Sequence, residues 1–335
     1  MHPRASTLAL AAAASLAVIA FLFWSAAARE VTVKGVTTAT RAEAGRKECP
    51  AARLERLSSG WDDRAQAIFD GRVQHLNSVT SLLKVTPPGD PKVTFRALAF
   101  REYSPHFEFW GEVNKGSWEP DTFARFRKGL DKETTLVDFG TWIGPTLLFG
   151  AQLARRAFGI EADPAAFAGV TQNVNINLQQ PWATRVHVQP ACVGVTESVL
   201  EMKSRNPGNS ESSLGSVFRQ QNVAELPHWN VRCYPLERLF QHWGIDPDTE
   251  KVFIKCDVES YECNLLPSWQ AWFKRLSTKP TLHLATHSQI SKCSAEQTKT
   301  MTEIAMSYRY RSANAIVNGV INPSAELVLS DTYQP

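Results

Sequence analysis

The sequence carries almost no excess of charge of either sign. Thirty-six Lys and Arg stand against 33 Asp and Glu, a net charge of +3 over 335 residues. A surface built to hold a polyanion carries a basic excess, so no nucleic-acid partner is expected. Cysteine is sparse, with six residues and no C-x-x-C pair. That argues against a disulfide scaffold and against structural zinc. The 18 Gly and 19 Pro are too few for a collagen-like or low-complexity chain. Neither G-x-G-x-x-G nor G-x-x-x-x-G-K-[ST] occurs, so the signatures of a dinucleotide turn and of a phosphate loop are missing. No Asn-x-Ser/Thr sequon with x other than Pro is present, and no internal repeat is visible.

What is there suits a folded α/β protein. Apolar residues make up 43% of the chain and charged residues 21%, enough for a sizeable core in one or two domains. From Ala5 to Ala28 no side chain is charged. At ~1.5 Å per residue that run reaches ~36 Å, enough to cross a ~30 Å hydrocarbon layer. Residues 1–28 are therefore read as a signal-anchor helix, with Trp24 at an interface. A cleaved signal peptide is the competing reading: Arg4 supplies the charged start and Ala26-Ala27-Ala28 the small residues of a cleavage site. A transit peptide is a third. Arg29, Lys34 and Arg41 follow the run, so the positive-inside rule leans mildly against a lumenal C-terminal part.

Residues 29–91 read as a stem, with helical spacing between Pro50 and Leu83 and a breaker at Pro87-Pro88-Gly89-Asp90-Pro91. Beyond it, residues 92–335 alternate buried strands with helices. Strands are expected at Thr135–Asp138, Ala157–Glu161, Arg185–Val188, Lys251–Asp257 and Thr281–Ala285. Helices are expected at Pro145–Phe158, Pro164–Leu178, from the fourth strand through Trp272, and at Ala295–Ser307. The pattern implies βαβ units and a doubly wound, mostly parallel sheet. Tyr308–Tyr310 and Glu326–Leu329 read as a closing pair of strands.

The most informative stretch is Val137-Asp138-Phe139-Gly140-Thr141-Trp142-Ile143-Gly144. A strand runs into a turn framed by two glycines and then into a helix. Gly140 permits a positive φ, and Gly144 lets the helix start approach a ligand. Glu161 follows 21 residues after Gly140, at the end of the next strand. Parallel α/β nucleotide sites place there the acid that binds ribose hydroxyls. With no phosphate-binding signature and with Asp138 at the strand tip, the expected ligand is cationic and phosphate-free. S-adenosylmethionine fits, with Asp138 near its amine and Glu161 on its ribose. Packing glycines in an ordinary βα turn are the plainer alternative.

A second cluster, Phe253-Ile254-Lys255-Cys256-Asp257-Val258-Glu259-Ser260-Tyr261-Glu262, puts three carboxylates just past a buried strand. Asp257 and Glu259 can orient an acceptor hydroxyl or take its proton, or they can cap the next helix. His287, after the fifth strand, is a further base candidate. Asp257 and Glu259 also suit a divalent metal, but no complete ligand set is legible, so none is expected. Cys192 and Cys256 read as small apolar residues in or beside strands. A lumenal disulfide stays possible with no deducible pairing. The aromatics Tyr103, His106, Phe107, Phe109, Trp110 and Trp118 read as packing onto the sheet more readily than as a lid for sugar stacking.

Four blocks together resemble the FkbM family of S-adenosylmethionine-dependent methyltransferases. They are Trp118-Glu119-Pro120, Val137 to Thr146, Phe158 to Pro164 with Asn173 to Asn177, and Ile254 to Glu262. Asn209 to Leu214 also resembles that family's serine-rich loop. The resemblance implies a class I methyltransferase fold and O-methylation of hydroxyls, often on sugars or polyketide-like products. It implies that Asp138, Gly140, Thr141, Gly144, Glu161, Ala162 and Cys192 surround the cofactor, and that Asp257, Glu259 and His287 serve the acceptor. The chain departs from the family at Ser260, where Gly is usual, at Glu237-Arg238, where an acidic pair is usual, and at Ala285-Thr286-His287, where an acid is often found. The reading is a membrane-anchored glycan O-methyltransferase, lumenal in the Golgi or secreted after cleavage. A degenerate glycan-binding or scaffold domain is the rival. The sequence leaves the oligomeric state open.

Overall fold

The structure, a computed structural model, describes residues 61–78, 81–99, 104–210, 213–214, 226–287 and 293–335. The Ala5–Ala28 run lies outside the described residues, and among those residues no helix is long and apolar enough to cross a membrane.

The described part opens with α1 (Asp63–Ser78), the strands β1 (Leu82–Val85) and β2 (Phe95–Leu98), and helices α2 (Ser104–Lys115) and α3 (Pro120–Gly129). The sheet unit then begins: β3 (Thr134–Phe139), α4 (Pro145–Leu153), β4 (Arg156–Glu161), α5 (Pro164–Asn175) and β5 (Val186–Pro190). An excursion follows through β6 (Cys192–Val193), β7 (Ser198–Lys203), β8 (Ser213–Leu214) and β9 (His228–Tyr234). Next come α6 (Leu236–Trp243), β10 (Lys251–Cys256), α7 (Glu262–Phe273), β11 (Thr281–Ala285) and α8 (Ala295–Ser307). The chain closes with β12 (Tyr310–Arg311), β13 (Ile316–Val317), β14 (Val320–Ile321) and β15 (Glu326–Ser330).

The main sheet has the order β5-β4-β3-β10-β11-β15-β12. β15 runs antiparallel between β11 and β12, and the five strands from β5 to β11 are parallel. β3 and β10 are fully or almost fully buried because helices cover both faces, as their β-branched and apolar runs require. Side chains alternate between two cores. Val137, Phe139, Ile254 and Leu284 meet α6, α7 and α8 through Leu239, Trp243, Leu265, Trp269 and Ile304. Leu136 and Phe253 point the other way, onto Phe123, Phe126 and Leu147 of α3 and α4.

Local chemistry sets the helix starts. Pro145 and Pro164 open α4 and α5, where a missing N–H costs nothing. Asp163 caps α5 by accepting from the N–H groups of Ala165 and Ala166 at 2.7 and 3.2 Å. The helix expected to run from Pro145 to Phe158 stops at Leu153. Ala154 turns extended, and the Arg155 N–H donates to the Thr134 carbonyl at 2.8 Å, which starts the strand pairing.

Two expectations change. The Pro87–Pro91 breaker is the connection between two paired antiparallel strands, β1 and β2, and the described residues, from 61 onward, fall in one compact unit. The boundary drawn at 91 therefore falls inside this unit. Asn173 accepts from the Leu98 N–H and Asn177 from the Arg96 N–H, both at 2.9 Å, so β2 is tied to α5. The second sheet, β6-β9-β7-β8, was not legible as strands. It is closed by a disulfide between Cys192 and Cys233, and a second disulfide joins Cys263 to Cys293. Cys192 is thus a bridged cysteine rather than a free apolar one, whereas Cys256 is a buried free thiol.

Candidate active site

β3 lies at the switch point of the sheet: β4 pairs on one side and β10 on the other. Ligands bind at such points, beyond the carboxyl ends of the strands. A cavity of about 600 Å³ opens there, within the usual size of small-molecule sites.

One wall is the turn after β3. Gly140 has φ 78° and Gly144 φ 94°, both in the left-handed region. A Cβ on Gly140 would collide with the backbone carbonyl of Asp257, so the two loops meet there without room for a side chain. Trp142 also takes a positive φ, 49°, which is strained for a bulky residue by ~1–2 kcal/mol. Its indole N–H donates to the Gly208 carbonyl at 2.9 Å, and its ring packs edge-on against Phe109.

Glu161 closes this wall from the tip of β4. Its Oε2 accepts from the Trp142 N–H at 2.7 Å and its Oε1 from the Asp163 N–H at 2.8 Å. Burial pushes its carboxyl up to about 8, against the pull of those backbone donors.

The opposite wall carries Asp257, Glu259 and His287. One ligand-capable atom from each lies within 4.8 Å of the others. His287 Nε2 is 3.4 Å from Asp257 Oδ1, and its Nδ1 is 3.2 Å from Oε1 of Glu262, which is 1% exposed. Burial opposes the charge on His287, but Glu262, Asp257 and Glu259 outweigh it and raise its pKa to about 9. Burial raises Glu259 to about 7. Ser260, at φ 79°, keeps the left-handed turn that Gly usually supplies, and its hydroxyl donates to the His287 carbonyl at 2.9 Å. The turn therefore forms with Ser at this position.

Of the residues expected at the cofactor, Gly140, Thr141, Glu161, Ala162 and Cys192 line the cavity, and so do Asp257, Glu259 and His287. Asp138 and Gly144 do not. Asp138 sits fully buried behind the wall, accepting from the Thr146 hydroxyl at 2.8 Å. A Cβ on Gly144 would press on Val170 at 2.8 Å, so this glycine serves helix packing rather than ligand approach. Cys192 lines the cavity with its sulfur held in the disulfide.

Sequence reasoning gave no role to Lys255 or Glu119. Lys255 is 4% exposed, and its Nζ lies 3.1 Å from Asp257 Oδ2 and 3.6 Å from Asp138 Oδ1. Burial opposes its charge, but Asp257, Asp138 and Glu119 outweigh that and raise its pKa. A lysine inside an otherwise apolar strand, two residues before an acid, was the available signal. Glu119 faces the cavity from the start of α3, and burial raises it to about 7. Phe109 and Trp118 also reach the cavity, while Trp110 is wholly buried in the core. Tyr103 lies outside the described residues.

The strand order, with an antiparallel strand inserted next to the edge, defines a class I methyltransferase fold. No protein-family model matches the chain, and no curated protein matches it. Among solved structures it is similar to the methyltransferase FkbM from Methylobacillus flagellatus KT, at 15% identity and a TM-score of 0.40. That alignment covers 80% of this chain and 59% of that one, so the chain spans less than two thirds of its length. An rRNA methylase from Streptococcus thermophilus is similar at 13% identity and TM-score 0.33, over 62% of this chain and 92% of that one. Geranyl diphosphate C-methyltransferase from Streptomyces coelicolor A3(2), solved with S-adenosyl-L-homocysteine, is similar at 10% and 0.29, over 73% and 72%. At these identities and TM-scores the fold assignment rests on the strand order itself.

Proposed function

We propose that this protein is an S-adenosylmethionine-dependent methyltransferase acting on a hydroxyl oxygen of a carbohydrate acceptor. The observation that carries the reading is the pairing of Glu161 with the Gly140 turn across one wall of the cavity.

The residues present fit that cofactor. The turn has no room for side chains at Gly140, the Thr141 hydroxyl is buried without a hydrogen-bond partner, and the surrounding charges are mostly carboxylates. A sulfonium and an amine suit such a wall and a pyrophosphate does not. Each Glu161 oxygen accepts one backbone N–H and keeps lone pairs for ribose hydroxyls. Thr141 and Ala162 flank the same space. Lys255, which lines the cavity, holds Asp257, and Asp138 stands behind the wall on the other side of that lysine.

When bound, the cofactor supplies an electrophilic methyl group with a good leaving group, so positioning contributes much of the rate. The chain's own task is the acceptor. Glu259, held near neutrality by burial, is poised to take a hydroxyl proton. His287, expected from sequence as a base, has its Nδ1 held on Glu262 and its Nε2 turned toward Asp257, so it helps to orient that carboxylate. Phe109 and Trp118 offer ring faces to a sugar beside Glu119.

The two disulfides support an oxidising compartment, the lumen of the secretory pathway or the cell exterior. With the Ala5–Ala28 run as anchor, that reading is a Golgi lumenal domain; with the run cleaved, a secreted one. Protease protection of intact vesicles, with N-terminal sequencing, separates them. The function itself is tested by methyl transfer from labelled S-adenosylmethionine to a glycan panel. Transfer lost in Glu259→Gln supports the proposal, and cofactor binding without transfer to any hydroxyl acceptor speaks for the scaffold rival.

A further inference from the structure

We infer that Asp257, Glu259 and His287 form a divalent-cation site at the acceptor end of the cavity. The sequence alone offered two carboxylates and no complete ligand set. The fold supplies the third group by bringing the end of β11 beside the end of β10.

Three observations carry this. First, one pair of the candidate ligand atoms stands at coordination distance, with the third close by. An ion with bonds of about 2.1 Å separates neighbouring ligands by about 3.0–3.4 Å, and His287 Nε2 stands 3.4 Å from Asp257 Oδ1. All three candidate atoms fall within 4.8 Å. Second, the imidazole is mounted as a ligand is. Its Nδ1 is held by Glu262, a carboxylate-to-histidine arrangement that fixes the ring and aims Nε2 at the cluster. Glu262 is 1% exposed, and its Oε2 has no hydrogen-bond partner. Third, Asp257 is already divided between two tasks. Its Oδ2 meets Lys255 at 3.1 Å, while Oδ1 is shielded and accepts no hydrogen bond.

The charge balance agrees. Asp257, Glu259, Glu262, Asp138 and Glu119 converge on this end of the cavity around Lys255, and an ion bound at Nε2 takes the place of the His287 proton. One imidazole and two carboxylates suit a divalent ion such as Mn²⁺ or Mg²⁺. Coordination positions not taken by the protein face the cavity. There an acceptor hydroxyl would complete the shell, and the ion would acidify it, its proton passing to the Glu259 carboxylate oxygen that the ion leaves free. This use of the ion rests on the proposed methyl transfer; binding of the ion does not.

The test titrates Mn²⁺ into the purified full-length chain, followed by electron paramagnetic resonance, with S-adenosylmethionine binding measured in parallel. One bound Mn²⁺ per chain is expected, with a directly coordinated histidine nitrogen visible in pulsed spectra of the wild type. Glu259→Gln and His287→Gln should each weaken Mn²⁺ by about 10–100-fold. Absence of bound Mn²⁺ at millimolar concentration, absence of the nitrogen coupling, or equal binding by variants that still take up the cofactor overturns the site. If a variant does not fold, the wild-type nitrogen coupling decides. Mn²⁺ binding without cofactor binding keeps the ion site and rejects the methyltransferase reading. Cofactor binding without Mn²⁺ does the reverse.

Discussion

The backbone carbonyl of Asp257 occupies the place where a Cβ on Gly140 would stand. The loop after β3 and the loop after β10 are therefore built against each other. The Asp257 N–H also donates to the Phe139 carbonyl at 3.1 Å, which fixes the pair. Gly140→Ala must either push these loops apart or abandon φ 78°. We expect a stability loss of about 2 kcal/mol or more and loss of S-adenosylmethionine binding, read by chemical denaturation and calorimetry.

Glu161 gives a pH signature. Its carboxyl is raised to about 8 by burial, so the folded protein holds that proton more tightly than the unfolded chain, whose value is 4.5. The contribution is fully present below 4.5 and is lost as pH rises from there through 8. Wild-type stability should fall over this window by on the order of 5 kcal/mol from this group. Glu161→Gln should flatten the slope in denaturation curves taken at pH 5 to 9.

Glu326 gives the opposite sign. Burial opposes its ionisation, but the contact with His283, the Thr122 hydroxyl at 2.8 Å and the Arg125 guanidinium at 3.2 Å outweigh it and hold the carboxyl at about 2. Burial lowers the pKa of His283 in turn, against the pull of Glu326. Stability from Glu326 is present above 4.5 and lost as pH falls toward 2. Because the side chain is partly exposed, its size is on the order of 1–2 kcal/mol. In acid titrations Glu326→Gln should lose less stability below pH 4.5 than the wild type.

The two disulfides close loops of 41 and 30 residues. Each should contribute about 3–4 kcal/mol. Cys263 adjoins Glu262, and Cys293 anchors the start of α8 beyond His287. Cys263→Ala with Cys293→Ala should therefore reduce methyl transfer more than cofactor affinity. Cys192→Ala with Cys233→Ala, at the cofactor-side wall, should do the reverse. Both are read from KM and kcat against S-adenosylmethionine binding.

Much of the sheet was legible because its signals are local. Thr281–Ala285 and Ala295–Ser307 have their expected bounds, and the spacing from Gly140 to Glu161 located one wall of the cavity. What the sequence concealed depends on distant partners. The strand β7 alternates half-buried and exposed residues and β9 buried and exposed ones, and they pair only after a long connection. Glu262 and His287 lie 25 residues apart and meet because β10 and β11 are neighbours. Gly144 and Asp138 were placed at the ligand from their position in a motif, whereas Val170 and Thr146 engage them instead.

The central claim is that the Gly140 turn and Glu161 hold S-adenosylmethionine. Isothermal titration of the purified chain with that compound tests it most directly. One molecule should bind per chain, and Glu161→Gln should weaken it by about 10-fold or more. No binding at millimolar concentration by folded wild-type protein, or unchanged affinity in folded Glu161→Gln, would contradict the account.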